Sequence, residues 1–305
     1  MERNLMKGNE ALAEAAIRAG CKCFFGYPIT PQTELAAYMA KRMHKAGGVF
    51  LQAESEIAAI NMVLGAASTG VRAMTSSSSP GISLKSEGVS YIAGSDLPAV
   101  IINVERGGPG LGGIQPSQAD YWQATKALGH GDFQLIVYAP ASVQEMADFV
   151  DLSFTLAFKY RNPVMILSDG VIGQMMEKVV LPPYKPRRTE EEIAKECPWA
   201  ANGHGRKHRA PNVITSLELE STKMELKNQH LQQKYQTIRE NEVRYETRNV
   251  EDADYVIVAF GSAARISQKA MEMARSKGMK VGLFRPITLW PFPEKEIKEL
   301  AGKVK

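Results

Sequence analysis

Two glutamates stand where a short apolar run meets a strongly apolar helix. In "FLQAESEIAAINMVLGAASTG", Glu54 and Glu56 precede residues 57–67, which are apolar on every helical face except at Asn61. A helix that is apolar all round is normally buried. An acid at its start either offsets the positive end of the helix dipole, an effect of about 0.3–1 kcal/mol, or serves as a preorganised catalytic group. The residues alone leave both interpretations open.

Two further side chains follow predicted strands. Arg106 comes after the apolar run "AVIINV" and before "GGPG", beside backbone that a ligand can approach closely. Its guanidinium suits a small carboxylate, and pairing with a surface acid is the alternative. Thr30 lies between two prolines in "GYPITPQTE", where its hydroxyl either binds a ligand or caps a helix that opens at Pro31. Both residues are therefore candidates for ligand binding.

A glycine-rich segment offers a competing interpretation. "GPGLGG" contains Gly108-x-Gly110-x-x-Gly113 after a predicted strand, and Asp132 lies 19 residues beyond the last glycine, as in a dinucleotide-binding fingerprint. The context does not fit, because Pro109 stiffens the turn and "IQPSQ" stands where the helix of that fingerprint begins. A nicotinamide-dependent dehydrogenase is therefore the weaker hypothesis, and a structural glycine turn is favoured.

The elements that must position these residues alternate along the first part of the chain. Strands are predicted at 22–27, 71–76, 99–104, 133–140 and 163–169. Helices are predicted between them at 31–45, 56–67, 83–93, 117–128 and 142–160. This alternation indicates an α/β domain with a mainly parallel sheet covered on both faces. Ligands of such folds bind at the carboxyl ends of the strands.

The pattern changes near residue 182. A segment rich in proline, glycine and charge follows, which is typical of a surface connection. Apolar residues then recur at every seventh position of a polar helix: Leu217, Met224, Leu231, Ile238 and Tyr245. We expect a long helix on a surface, preferentially that of its own core. A second α/β pattern follows, with a strand, a Gly-Ser turn, a helix and another strand. We therefore expect a first domain at 1–185, a charged linker with a long helix at 186–250, and a second α/β domain at 251–305.

Composition narrows the class of protein. The chain has 305 residues, 44% of them hydrophobic and 23% charged, with no apolar run long enough to span a membrane and no signal-peptide h-region, so we expect a cytoplasmic protein. The net charge of +4 is small and spread out, which argues against nucleic-acid binding. Three cysteines without a C-x-x-C run argue against an iron–sulfur cluster on this chain. His204 and His208 lie among glycines, so we expect no metal site there.

Four long motifs together resemble one family: "GYPITPQTE", "ESEIAAINMVLGAASTG", "TSSSSPGISLKSEG" and "NVERGGPGLGGIQPSQADYWQATKALGHGDF". They resemble the pyrimidine-binding subunit of the thiamine-diphosphate-dependent 2-oxoacid:ferredoxin oxidoreductases, and the last motif is most similar to the branched-chain (2-oxoisovalerate, or 3-methyl-2-oxobutanoate) type. The resemblance continues through "GLFRPITLWPFPEKEI" and covers nearly the whole chain. It implies a pyrimidine-type thiamine-diphosphate-binding domain with a parallel sheet, a long linker, and a partial α/β domain similar to the C-terminal domain of transketolase.

The resemblance also implies roles for individual residues. In thiamine enzymes a glutamate binds N1′ of the aminopyrimidine, so that N4′ can remove the proton from C2 of the thiazolium. The family's acid stands directly before the apolar run and nine residues before a glycine, here Gly65, which identifies Glu56 and leaves Glu54 as the second choice. Pro28 and Ile29 match cofactor-binding positions.

The two strand-end residues acquire a role in the same way. Thr30 and Arg106 match the family positions that bind the 2-oxo acid substrate. The implied reaction converts a 2-oxo acid, coenzyme A and oxidised ferredoxin into acyl-CoA, CO₂ and reduced ferredoxin. Branched-chain substrates are favoured, with 2-oxoglutarate or pyruvate as alternatives and a noncatalytic structural subunit as a remote one.

By the same resemblance, the chain supplies half of a site. A thiamine site also needs a G-D-G…N segment to hold Mg²⁺ on the diphosphate, and the nearest match, "LSDGVIG" at 167–173, has Ser168 in place of the first glycine. We therefore expect a partner subunit for the diphosphate and Mg²⁺, a ferredoxin-like [4Fe-4S] subunit and a subunit concerned with coenzyme A. In the family the second domain continues beyond the point where this sequence stops, so we expect 251–305 to be an incomplete domain.

Overall fold

The structure is a computed structural model that describes residues 3–203 and 211–304. His204 and His208 lie outside the described residues, so the expectation for that pair stays a prediction. The strands are β1 (Arg3–Lys7), β2 (Cys23–Gly26), β3 (Val49–Gln52), β4 (Ala73–Ser77), β5 (Ala99–Glu105), β6 (Ile136–Tyr138), β7 (Pro163–Asp169), β8 (Met176–Val180), β9 (Tyr245–Arg248), β10 (Tyr255–Val258), β11 (Val281–Pro286) and β12 (Thr288–Trp290).

The helices are α1 (Gly8–Arg18), α2 (Thr33–Arg42), α3 (Glu56–Ser68), α4 (Ser79–Gly94), α5 (Val143–Tyr160), α6 (Gly170–Gln174), α7 (Glu190–Glu196), α8 (Ser221–Asn241), α9 (Gly261–Ser276) and α10 (Glu294–Ala301). A π-helical turn covers Gln123–Ala127. In the part of the chain that the structure describes, no helix combines the length and the apolar character needed to cross a membrane.

The main sheet has seven strands in the order β12-β6-β7-β5-β4-β2-β3. Every neighbouring pair in it is parallel except β12 with β6. A small sheet pairs β1 with β8, and a third sheet has the order β10-β11-β9. The predicted α/β fold with a mainly parallel sheet is therefore confirmed.

Alternate residues of the central strands belong to two buried clusters. In β5, Ala99 and Ile101 pack with α3 and α4, whereas Val100 and Ile102 pack with α1, α2 and α5. Successive side chains of a strand point to opposite faces, so helices cover both faces of the sheet. The apolar strands are buried throughout, as a parallel sheet requires.

Several local predictions differ from the structure. The strands β1 and β8, which pair with each other, and the strand β3 are absent from the predicted set. The helix predicted at 117–128 is reduced to residues 121–127. Its first part is held differently, because the N–H of Asp120 donates to the carboxylate of Glu105 at 2.7 Å. These are long-range interactions that local patterns do not record.

The long helix α8 packs on the chain's own core. Leu231, Tyr235 and Ile238 are buried, and the ring of Tyr235 meets that of Trp290 edge-on at 5.8 Å. Two of the five predicted heptad positions lie outside this helix, since α8 begins at Ser221 and ends before β9. The strand β12 lies in the main sheet although it falls within 251–305. The division into domains at 185 and 250 stays a prediction.

Candidate active site

The candidate residues meet at one edge of the main sheet. The strands β3, β2, β4 and β5 are neighbours and run parallel, so their carboxyl ends lie side by side. The loop with Thr30 follows β2, Glu56 comes shortly after β3, α4 follows β4, and Arg106 follows β5. This is the edge at which α/β proteins bind ligands.

Glu56 is a buried acid whose carboxylate accepts no hydrogen bond from any residue within 3–203 or 211–304. It is 5% exposed, whereas Glu54 is exposed. The helix is capped by Ser55, whose Oγ accepts from the N–H of Ala58 at 3.2 Å. A cap for this helix is thus already provided by another side chain. The carboxylate oxygens are not among the fully buried unpartnered atoms of the described residues, so they stay accessible to a donor from outside this chain.

The composition of α3 predicts a helix that is buried on every face, but one face of α3 is exposed. Ile57 is 49% exposed, and Asn61 and Gly65 are exposed on the same side. Ile60 and Val63 on the opposite side are buried in the core. One apolar face of α3 therefore packs on the core, and the opposite face is exposed to solvent.

The start of α4 forms a close cradle beside Glu56. A Cβ atom on Gly81 would lie 2.1 Å from Oγ of Ser77 and 2.7 Å from Oε1 of Glu56, so only glycine fits there. The hydroxyls of Ser77 and Ser78 are buried without a hydrogen-bond partner within the described chain. The motif "SSSSPG" carries part of the family resemblance, but no role in the site was predicted for its residues. The start of α4 therefore packs directly against the Glu56 carboxylate and leaves two hydroxyls beside it unpaired.

Arg106 is a buried cation that binds main-chain carbonyls. It is 8% exposed; its Nη1 donates to the carbonyl of Thr30 at 3.0 Å and its Nη2 to that of Leu111 at 2.9 Å. Its Nε is buried without a partner, and no carboxylate of the described residues forms an ion pair with it. Pairing with a surface acid is therefore wrong. A buried charge of this kind favours an anionic ligand.

The loop after β2 presents the remaining predicted residues. Thr30 and Pro28 are exposed and Ile29 is half-buried. The helix α2 begins at Thr33, so Thr30 does not cap it, and the capping interpretation of its hydroxyl is wrong. The hydroxyl of Thr30 is left for other contacts, while its carbonyl is held by the guanidinium of Arg106.

Gln32 fixes this loop through two side-chain hydrogen bonds. It is fully buried; its Nε2 donates to the carbonyl of Tyr27 at 3.2 Å, and its Oε1 accepts from Oγ of Ser76 at 2.6 Å. The loop is thereby tied to the end of β4. Sequence reasoning missed Gln32, which immediately precedes α2 and is not distinguished by its local pattern.

A polar network joins α4 to the end of β5. Ser79 Oγ donates to the carboxylate of Asp120 at 2.6 Å and accepts from the N–H of Arg106 at 3.0 Å. Asn103 Nδ2 donates to the same Asp120 carboxylate at 2.9 Å. Burial raises the pKa of Glu105 to about 9, and nearby acids oppose its ionisation further. The neutral form of Glu105 therefore prevails at pH 7.

The glycine segment forms a closed loop and not a phosphate-binding turn. The N–H of Gly107 donates to the carbonyl of Gln115 at 2.8 Å, and that of Gly113 to the carbonyl of Gly107 at 2.9 Å. Gly112 has φ of +62°, and a Cβ there would lie 1.8 Å from the carbonyl oxygen of Gly107. The next helical residues begin only at 121. The structural interpretation of these glycines is the one that the geometry supports.

The segment similar to a magnesium motif is used in another way. Asp169 caps α6, since its Oδ1 accepts from the N–H groups of Val171 at 2.8 Å and Ile172 at 3.1 Å. Across residues 3–203 and 211–304, no group of three or more His, Cys, Asp or Glu is arranged to hold a metal ion.

Comparison with known proteins identifies the class. Residues 14–246 match the family described as pyruvate flavodoxin/ferredoxin oxidoreductase, thiamine diphosphate-binding, and residues 253–305 match pyruvate:ferredoxin oxidoreductase core domain II. Fold and sequence thus define a thiamine-diphosphate-binding α/β protein. The chain belongs to the pyruvate flavodoxin/ferredoxin oxidoreductase family, which confirms the predicted resemblance.

Individual relatives agree with this assignment. The chain is 50% identical to ketoisovalerate oxidoreductase subunit VorB of Methanothermobacter thermautotrophicus, over 99% of this chain and 84% of the relative. It is 39% identical to 2-oxoglutarate synthase subunit KorA of Archaeoglobus fulgidus, over 99% and 86%. A solved 2-oxoglutarate:ferredoxin oxidoreductase from Magnetococcus marinus matches with a TM-score of 0.85 and 29% identity, over 100% of this chain and 57% of that chain. The chain is therefore a subunit of an oxidoreductase of this family.

Proposed function

We propose that this chain is the pyrimidine-side subunit of a heteromeric 2-oxoacid:ferredoxin oxidoreductase that acts on branched-chain 2-oxo acids. The reaction consumes the 2-oxo acid, coenzyme A and oxidised ferredoxin, and it releases acyl-CoA, CO₂, a proton and ferredoxin reduced by two electrons in total. The cleaved bond joins the carboxylate to the keto carbon, and the bond formed joins the resulting acyl carbon to the sulfur of coenzyme A.

The observation that carries this proposal is the buried carboxylate of Glu56, which accepts no hydrogen bond within the described chain. When bound, thiamine diphosphate supplies a carbon nucleophile that attacks the keto carbon and stores the electrons released by decarboxylation. Glu56 would accept a hydrogen bond from N1′ of the aminopyrimidine and hold a proton there. The glycine at position 81 supports this role, because it lets the start of α4 pack directly against the Glu56 carboxylate and so holds the acid in place. Pro28 and Ile29 would contact the cofactor from the neighbouring loop.

Arg106 and Thr30 would hold the substrate carboxylate. A guanidinium has five N–H donors, and in Arg106 two of its nitrogens bind the carbonyls of Thr30 and Leu111. The second hydrogens of the two Nη atoms are left for an anion, whereas the unpartnered Nε is enclosed by the chain. The exposed hydroxyl of Thr30 lies in the same loop and supplies an uncharged donor for the substrate.

The choice of a branched-chain substrate rests on similarity. Two relatives named for ketoisovalerate share 50% and 51% identity with this chain and a third shares 28%, whereas four relatives named as 2-oxoglutarate synthase subunits share 37–39%. Substrates that differ by a methylene group are separated by only about 1–3 kcal/mol in an apolar pocket. 2-Oxoglutarate is therefore the alternative that the second group of relatives favours.

The partner subunits would complete the site. The relatives are themselves named as subunits, which supports an enzyme assembled from several chains. We propose that one partner holds the diphosphate and Mg²⁺, that a ferredoxin-like partner carries [4Fe-4S] clusters, and that another is concerned with coenzyme A. The solved relative from Magnetococcus marinus is described with 2-oxoglutarate, coenzyme A and succinyl-CoA bound.

A substrate panel on the purified complex tests the proposal. The complex is isolated without oxygen and supplied with thiamine diphosphate, Mg²⁺, coenzyme A and either ferredoxin or NAD⁺. We expect acyl-CoA formation that depends on ferredoxin and has its highest kcat/KM with 2-oxoisovalerate. Turnover that requires NAD⁺, or no acyl-CoA from any 2-oxo acid, would contradict it, and a preference for 2-oxoglutarate would overturn the substrate assignment alone.

A further inference from the structure

A lysine is enclosed in the seam between α3 and α4. On α4, the positions 81, 85 and 88 follow one another at helical spacing on one face, and they hold Gly81, Lys85 and Gly88. A Cβ on Gly88 would lie 2.5 Å from Cγ2 of Ile60, and one on Gly81 would lie 2.7 Å from Oε1 of Glu56. The two glycines thus let α3 approach closely, and Lys85 between them is fully buried.

The contacts of Lys85 lead to Glu56. Its Nζ donates to the main-chain carbonyl of Glu56 at 3.3 Å. In the ranges that the structure describes, no carboxylate lies within ion-pair distance of this ammonium. Burial lowers the pKa of Lys85 to about 8, and the charge of Glu56 is the opposing influence on it.

A lysine in this place is costly for a purely structural seam. A buried charge without a direct ion pair destabilises the folded protein, and a methionine of similar shape would fill the same space at lower cost. Lys234, whose side chain is 8% exposed, differs in this respect, because it forms an ion pair with Asp96 at 2.6 Å. The position of Lys85 is therefore best explained by the acid that it touches.

We propose that Lys85 is a positioning residue for Glu56. Its ammonium fixes the first turn of α3 through the Glu56 carbonyl. Its charge favours the carboxylate form of Glu56, which would accept the hydrogen bond from N1′ of the aminopyrimidine. This inference rests on the role proposed for Glu56, and it gives a role to a residue of α4 for which the sequence predicted none.

The proposal predicts a pH dependence with a definite sign. Lys85 carries its charge below a pH of about 8 and loses it as the pH rises through that value. Glu56 is the charged group among the described residues that acts on it across the seam. The affinity for thiamine diphosphate should therefore fall as the pH rises from 7 to 9. In Lys85→Met the affinity for thiamine diphosphate should be low over this whole pH range and should not change with pH.

The test uses the assembled complex, stripped of cofactor, with Lys85→Met, Lys85→Gln and the matched control Lys234→Met. The Kd for thiamine diphosphate with Mg²⁺ is measured by calorimetry between pH 6.5 and 9, together with thermal unfolding. We expect Lys85→Met to weaken binding by about 10- to 100-fold at pH 7, since a hydrogen bond and a charge are lost together. Lys85→Gln should restore part of the affinity without the pH dependence, and Lys234→Met should lower stability without a change in Kd.

The outcomes separate this inference from the proposed function. Wild-type affinity that is constant from pH 7 to 9 would overturn the role of Lys85, and this holds even where a variant fails to assemble. Wild-type values in Lys85→Met would overturn it as well. Glu56→Gln is measured in parallel: if it impairs the cofactor while Lys85→Met does not, only the inference about Lys85 fails, and if neither has an effect, the assignment of Glu56 fails too.

Discussion

The substitution Arg106→Lys tests the substrate contact with the charge retained. In the structure the guanidinium donates to the carbonyls of Thr30 and Leu111, at 3.0 and 2.9 Å. Of its five N–H donors, two carbonyl contacts and the enclosed Nε leave two Nη hydrogens for a ligand, enough for a two-pronged contact with a carboxylate. A lysine ammonium has three donors, and satisfying the same two carbonyls leaves one.

The expected magnitude follows from this difference. Losing one charged hydrogen bond costs about 1.5–3 kcal/mol, which corresponds to a decrease of roughly 10- to 150-fold in kcat/KM. The carboxylate is common to all 2-oxo acids, so KM should rise by a similar factor for each of them. The assay is initial-rate acyl-CoA formation by the assembled complex with 2-oxoisovalerate, pyruvate and 2-oxoglutarate.

A second buried arginine provides the control. Arg285 is 6% exposed and forms ion pairs with Glu145 and Glu246. Arg285→Lys should lower the thermal stability and leave KM unchanged, because this side chain lies away from the candidate site. If Arg106→Lys leaves KM at the wild-type value, or changes it for one substrate only, the reasoning about the carboxylate is refuted.

Three further predictions concern the cofactor, the cradle and the linker helix. The chain alone should show no micromolar binding of thiamine diphosphate with Mg²⁺ by calorimetry, since Asp169, the acid of the segment most similar to a magnesium motif, is used to cap α6. Micromolar binding would contradict the proposal that a partner subunit completes the site. Gly81→Ala should lower the unfolding free energy by about 1–3 kcal/mol and reduce kcat, because the new Cβ meets the Glu56 carboxylate. The control Gly65→Ala, whose Cβ would meet no atom, should be neutral or slightly stabilising in the same denaturation assay. Ile238→Ala should destabilise the chain by about 2–5 kcal/mol in urea denaturation, and the exposed Met224→Ala by less than about 0.5; equal effects would mean that α8 does not pack on this core.

The sequence predicted the elements whose patterns are local. The helix at 142–160 is bounded by a Ser142 cap that accepts from the N–H of Glu145 at 3.2 Å, and both signals are visible in the residues themselves. The buried strands β5 and β7 are continuous apolar runs, as strands covered on both faces are. Hydrophobic periodicity therefore sufficed for the centre of the fold.

The misses share a physical cause. The strand β1 exists because it pairs with β8, about 170 residues away, and neither segment is strongly apolar. Residues 117–120 are not helical because Asp120 is held by Ser79, Asn103 and Glu105. Partners that are distant in the chain decide these conformations, and a local pattern holds no record of them.

The candidate site was predictable only in part for the same reason. Long motifs make Glu56, Thr30 and Arg106 candidates, and the structure brings the last two into contact. The residues that hold them, such as Gln32 before α2 and Lys85 in α4, are of types that indicate nothing by themselves. Their roles follow from burial and from contacts across the sheet edge.

The most direct test of the whole account is the exchange of the C2 proton of thiamine diphosphate bound to the complex, followed by NMR after transfer to D₂O. Glu56→Gln keeps the shape of the side chain but removes the group that holds a proton at N1′. It should slow the exchange by about 10²- to 10⁴-fold, the usual contribution of a general acid or base. The exposed Glu54→Gln should exchange at the wild-type rate. Exchange at the wild-type rate in Glu56→Gln, or slow exchange in Glu54→Gln, would contradict the assignment of Glu56 as the acid of the thiamine site.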